Sequence, residues 1–176
     1  MRTKWKIDPA HSEIHFKVKH LMISSITGAF MSFDLSVETE DHDFTKAANL
    51  EFSANVESIN TGNEQRDGHL KSPDFFDVAN YGKITFKGTK LEKAGENYNL
   101  HGDLTIKEVT RPITLEVEEN GSTVDPYNQT KAGFSVAGKI SRKDFGLNWS
   151  GVTETGSIIV GDDIKIFCEI QLIKSE

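Results

Sequence analysis

The sequence predicts an all-β protein: a single antiparallel β-barrel of about eight strands with a short helix and loop at one mouth. Three observations predict it. Isoleucine, valine and threonine number 15, 10 and 14, against 10 leucines and 9 alanines. β-Branched side chains suit strands, whereas leucine and alanine suit helices. Apolar and polar residues alternate along segment after segment, and turn-forming clusters fall between the segments. At 176 residues the chain is expected to be one domain, spanning positions 1–176.

The alternation runs in order along the chain. Ile14, Phe16 and Val18 alternate with His15, Lys17 and Lys19. Around Met31 the inward parity changes from Ile26 and Phe30 to Phe33, Leu35 and Val37, which one bulge would reconcile. Leu50, Phe52, Ala54 and Val56 follow, then Tyr98, Leu100, Gly102, Leu104 and Ile106. Ile113, Leu115 and Val117 precede Phe134, Val136, Gly138 and Ile140, and Ile164, Ile166, Cys168, Ile170 and Leu172 end the series. One buried and one wet face per strand is the antiparallel pattern. Many long one-sided strands favour closure, which removes exposed edges.

Turn chemistry marks Glu40–Asp43, Lys93–Asn97, Asp125-Pro126 and Gly161–Asp163, with Asn120-Gly121 the strongest hairpin signal. Asp43–Ala47 reads as a helical turn. Thr61 to Glu64 has capping-box spacing, so a short helix opens there and Pro73 stops it. The loop Pro73–Asp77 then presents Phe75 and Phe76, which need a surface to bury against, and a barrel mouth supplies one.

Gly28, Gly102, Gly138 and Ala54 share the inward parity with large apolar neighbours. Spacing alone leaves two readings: volume left open for a ligand, or relief of crowding at bends and bulges.

Charge and chemistry narrow the function classes. Twenty Lys and Arg against 27 Asp and Glu give a net charge of -7, which argues against nucleic acid and disfavours an anionic membrane surface. Cys168 is the single cysteine, which rules out an intramolecular disulfide and a multi-cysteine zinc site. His11 and His15 on a strand lie roughly 13 Å apart, too far to share one zinc, so no metal site is expected. His20 falls on the inward parity, and His69 sits beside Arg66 and Asp67. Asp144-Phe145-Gly146 matches a kinase magnesium motif by letters only, without the other parts that motif needs. Cys168 lies on an inward, apolar position, where a thiol packs rather than attacks. No catalytic constellation emerges. No apolar h-region opens the chain and no stretch reaches transmembrane length, so a cytoplasmic location is expected, or a periplasmic one if a leader has been removed.

Trp5-Lys6-Ile7-Asp8, His11-Ser12, Phe16-x-Val18-x-His20 and Gly28-x-Phe30 resemble the opening of the YceI-like family. Thr61-Gly62-Asn63, Arg66-Asp67-x-His69-Leu70-x-Ser72 and Asp74-Phe75-Phe76-Asp77 match its most distinctive stretch. Ile84-Thr85-Phe86, Gly102-x-Leu104-Thr105-Ile106, Val109-Thr110-Arg111-Pro112, Gly138, Arg142-x-Asp144-Phe145-Gly146-Leu147 and Val160-Gly161-Asp162 continue the match. Two positions depart from it, Gly82 for a usual proline and Glu108 for a usual glycine, both at turns.

The resemblance implies an extended lipocalin-like barrel that holds a polyisoprenoid or similar long-chain lipid in its lumen, often as a homodimer, without catalysis or cofactor. The residues expected to meet such a ligand are Phe16, Val18, His20, Gly28, Phe30, Phe52, Ala54, Arg66, His69, Leu70, Phe75, Phe76, Phe86, Gly102, Leu104, Ile106, Phe134, Val136, Gly138, Ile166 and Cys168. A polar head group would lie at a mouth, within reach of His20, Arg66, His69 or Tyr81. Two other classes stand beside this one: a small barrel enzyme using His20 or His69 as acid or base, and a structural protein whose barrel is packed solid.

Overall fold

The structure, a computed structural model, describes residues 2–150 and 159–175. Strands β1 (Arg2–Ile7), β2 (Glu13–His20), β3 (Ser24–Phe30), β4 (Phe33–Glu40), β5 (Asp43–Asn55) and β6 (Ile59–Asn60) come first, then the helix α1 (Glu64–Lys71). The long strands β7 (Lys83–Ala94), β8 (Asn97–Ile106), β9 (Val109–Val124), β10 (Thr130–Ser141) and β11 (Val160–Lys174) complete the chain. All pairings are antiparallel.

The sheet closes on itself. The order β1-β4-β5-β7-β8-β9-β10-β11 returns to β1 through Trp5–Ile7 opposite Lys174–Leu172, giving an eight-strand barrel. β11 is long enough to hold two partners on one edge: β1 beside its C-terminal end, and β2 beside Val160–Glu169. β2 carries β3 and then β6, so a flap of sheet extends the wall on one side. The helix α1 and the loop after it lie at that end.

Inward parity follows the sequence pattern. On β8 each even residue from Tyr98 to Ile106 is buried. On β1, Trp5 and Ile7 are buried, and on β4, Leu35 and Val37 are. The parity change near Met31 is a two-residue interruption, Met31-Ser32, between β3 and β4, rather than a single bulge within one strand.

Several turn expectations are corrected. Asn120-Gly121 lies inside β9, where Gly121 adopts φ +112 and the register with β10 shifts between Gly133 and Phe134, so the pair forms a bulge. The β9–β10 turn falls instead at Asp125, whose carboxylate accepts from the Tyr127 and Gln129 backbone N–H groups. Gly161–Asp163 also lies within a strand, at the β11 irregularity between Val160 and Ile164. Asp43–Ala47 is the start of β5 rather than a helical turn, and Phe44 is buried there. The N-cap of α1 is Asn63, whose side chain accepts from the Arg66 N–H, whereas Thr61 binds Asp67.

One end of the barrel is closed by rings. Trp5 packs 5.0 Å from Phe44, which packs 4.9 Å from Phe134, and Trp5 donates its indole N–H to Thr39 at 3.0 Å. At two of the same strands, β1 and β10, a partly buried ion cluster holds the wall. Lys131 reaches Asp8 at 3.0 Å and Asp125 at 3.4 Å, and His11 meets Asp8 at 2.8 Å. Burial alone would raise the Asp8 carboxyl, but hydrogen bonds from His11, Lys131 and the Ala10 N–H outweigh it and hold the group below the usual carboxylate range.

Candidate functional site: an apolar lumen

The barrel encloses a cavity of about 270 Å³. Small-molecule sites typically run from about 300 to 1,000 Å³. Most strands contribute, among them Phe16 and Val18 from β2, Phe30 from β3, Phe52 and Ala54 from β5, Phe86 from β7, Leu104 and Ile106 from β8, Phe134 and Val136 from β10, Ile166 and Cys168 from β11. Leu70 of α1 and Phe75 and Phe76 of the following loop join them. The Phe76 N–H donates to the Leu70 carbonyl at 3.0 Å, and Phe76 stands edge-on to Phe30 at 6.3 Å, so the helix and loop fold onto the wall as one unit. The partial exposure of residues such as Phe16, Val18 and Val136 fits their facing this space.

Six expected residues are not among the lining. Gly28, Gly102 and Gly138 point inward, but neighbours fill their space. A Cβ on Gly28 would stand 2.3 Å from the end of the Phe16 ring, one on Gly102 2.4 Å from the end of the Phe86 ring, and one on Gly138 2.4 Å from a Leu115 methyl. These glycines let large side chains lie flat on the wall, so the crowding-relief reading holds for them. Ala54 does border the cavity.

The expected head-group residues are not brought together. Arg66 donates through Nε to the Thr61 hydroxyl and through Nη2 to the Thr61 carbonyl, both at 2.7 Å, away from the lumen. His69 pairs with Asp74 at 2.9 Å and packs edge-on against Phe75 and Trp149. Tyr81 donates to Glu108, and His20 sits at the end of β2. Glu108 lies in the β8–β9 turn, where Lys107 alone takes a positive φ, so the turn does not need a glycine at 108.

Sequence reasoning missed several lining residues, among them Phe44, Leu91, Ile140, Leu147 and Ile164. Phe44 was hidden by the helical reading of Asp43–Ala47. It also missed Arg142, a charged residue bordering the cavity and only 2% exposed. Arg142 continues the even parity of Val136 and Ile140, and that was the available signal. Its Nε donates to the Gly161 carbonyl at 2.9 Å, and Nη1 donates to the Leu147 and Trp149 carbonyls at 2.7 Å each. Burial pulls its guanidinium below the usual value while Asp162, 3.4 Å away, acts in the opposite direction. The guanidinium therefore ties the chain after β10 to the start of β11 at the mouth.

Cys168 is buried, and that burial pushes its thiol up to about 11, so the side chain is neutral wall. His15 borders the cavity, but its ring stacks outward on Phe167 at 5.1 Å. Among the described residues no cluster of His, Cys, Asp or Glu is arranged to hold a metal ion, and no helix is long and apolar enough to cross a membrane.

A closed eight-strand antiparallel barrel around an apolar lumen, capped by a helix and loop, is a lipocalin-like protein. Comparison with known proteins narrows the class. The YceI-like domain matches residues 5–172, and the chain belongs to that family. It is 39% identical over 177 residues to the UPF0312 protein SAS2572 of Staphylococcus aureus strain MSSA476, covering 99% of each chain. The Campylobacter jejuni YCEI protein superposes with a TM-score of 0.75 at 32% identity, over 90% of both chains. A polyisoprenoid binding domain from Saccharophagus degradans shares the fold, with a TM-score of 0.70 at 15% identity over 97% of this chain and 98% of that one.

Proposed function

We propose that the chain holds the hydrocarbon tail of a polyisoprenoid or similar long-chain amphipathic lipid in its lumen, as a carrier, storage or sequestration protein. The observation that carries this is the cavity itself: the side chains that line it are apolar almost throughout, and directional polar groups are absent from its middle. Burying a chain gains about 0.8 kcal/mol per CH₂, so a few isoprene units suffice for affinity without hydrogen bonds. The polyisoprenoid-binding domain of the same fold supports the choice of ligand. A packed-solid barrel is disfavoured by the cavity volume.

A binding rather than catalytic role is supported by the histidines. His20 and His69 do not border the lumen, and the His15 ring turns outward onto Phe167. Solvent extraction of the purified protein followed by mass spectrometry is the decisive experiment. A stoichiometric long-chain isoprenoid or lipid is the expected result. Protein that carries none, and takes up none from detergent solution, overturns the reading. Homodimer formation and the cellular compartment are separate expectations, checked by sedimentation velocity and cell fractionation.

A further inference from the structure

The hairpin joining β2 to β3 breaks two rules at one place. Its turn residues, Leu21 and Met22, both adopt left-handed backbone, at φ +52 and +58, and the Ile23 N–H closes the turn onto the His20 carbonyl at 3.2 Å. Paired positive φ values favour Asn and Gly, not long apolar side chains. The same tip exposes its apolar groups: Met22 is 56% exposed and Ile23 83%. Neither choice helps the fold, and strain kept at an exposed apolar tip points to function.

Position and charge indicate the function. The tip stands at the end of the barrel where α1, its loop and Arg142 surround the lumen, three residues beyond the lining residue Val18. From Lys17 to Thr27 the hairpin carries Lys17, Lys19 and His20 and no acidic residue, in a chain of net charge -7. Ser24, Ser25 and Thr27 on the returning strand are exposed. An apolar apex with lysines and hydroxyls behind it matches the hydrocarbon edge and phosphate layer of a bilayer.

We infer that Leu21–Ile23 is a docking tip that inserts into a phospholipid bilayer and brings the mouth of the lumen to the lipid surface. The inference rests on the lipid-binding reading for its purpose, although docking is measured independently of it.

The test uses the full chain and phosphatidylcholine vesicles doped with a long-chain isoprenol. In Leu21→Asn/Met22→Gly/Ile23→Thr the turn receives residues that suit its backbone, so the protein should melt no lower than wild type. Its vesicle partitioning should fall about tenfold or more, the order expected for withdrawing two apolar side chains from lipid. Uptake of the same isoprenol from detergent should be unchanged. A fluorophore on Met22→Cys should shift to the blue on adding vesicles, and one on Glu96→Cys, at the opposite end, should not. Wild-type partitioning by the triple variant overturns docking, as does a change in oligomeric state with no change in partitioning. Partitioning that is lost in the triple variant, in a chain that takes up no isoprenol at all, supports docking and overturns the lumen reading instead.

Discussion

A methyl group added at Gly102 has nowhere to go. One side holds the Phe86 ring, and the Lys87 carbonyl oxygen stands 2.6 Å from the new Cβ. At Gly28 the obstacle is a ring end alone, that of Phe16, which can swing into the lumen. Gly102→Ala is therefore expected to cost more than Gly28→Ala, within the roughly 1–3 kcal/mol typical of overpacking. Urea unfolding of the two variants checks this, and equal or reversed costs would contradict it. Cys168 makes a second prediction at this scale. Burial pushes its thiol up to about 11 from an ordinary value near 9.0, so the folded state favours the neutral form. Its contribution is fully present below the unfolded value and is lost as pH rises from about 9 to about 11. The thiol should contribute a fall on the order of 3 kcal/mol across that window, and Cys168→Ala should remove that contribution. A wild-type profile flat between those pH values would be inconsistent with the buried thiol.

Among the elements, the junction of β1, the β9–β10 turn and β10 depends on one cation. Lys131 stands between the Asp8 and Asp125 carboxylates, its side chain only 13% exposed. Lys131→Met removes the cation that the Asp8 and Asp125 carboxylates share. A lower melting temperature at pH 7 is expected, and a smaller difference near pH 3, where the carboxylates begin to take up protons. An equal loss at both pH values would assign Lys131 a packing role only. The strands themselves were legible because burial on one face forces the period-two pattern, as on β8 and β10. What misled were residues whose local preference serves two structures. Asn120-Gly121 favours left-handed backbone, which a hairpin turn and a bulge both require, and only the register with β10 decides between them. Phe44 and Ala47 have helical spacing, but Asn49, at φ +54, resets the phase within a continuous strand. The lumen wall followed from parity. The partners of Arg66 and Tyr81 did not, because they depend on how the α1 loop folds back.

For the molecule as a whole, volume inside the ring is the property that the proposed function requires. Val136 borders the cavity from β10, opposite Cys168 on β11. Val136→Phe places a ring in that space, and a domain of this size survives the overpacking, about 1–3 kcal/mol. The variant is expected to stay folded and to take up a long-chain isoprenoid at least tenfold more weakly; unchanged affinity would place the ligand elsewhere. The ring plug gives the lumen a further property. On the proposed lipid-binding reading, a tail entering past α1 would meet a floor, because Trp5, Phe44 and Phe134 pack together at the other end. The barrel then acts as a ruler: tails that just reach Phe44 bury every carbon, and longer ones leave part of their length in water. Phe44→Ala lowers that floor, and its binding optimum should move to a longer homologue when isoprenols of graded length compete for the protein. An optimum that stays at the wild-type length would mean that something other than the plug measures the tail.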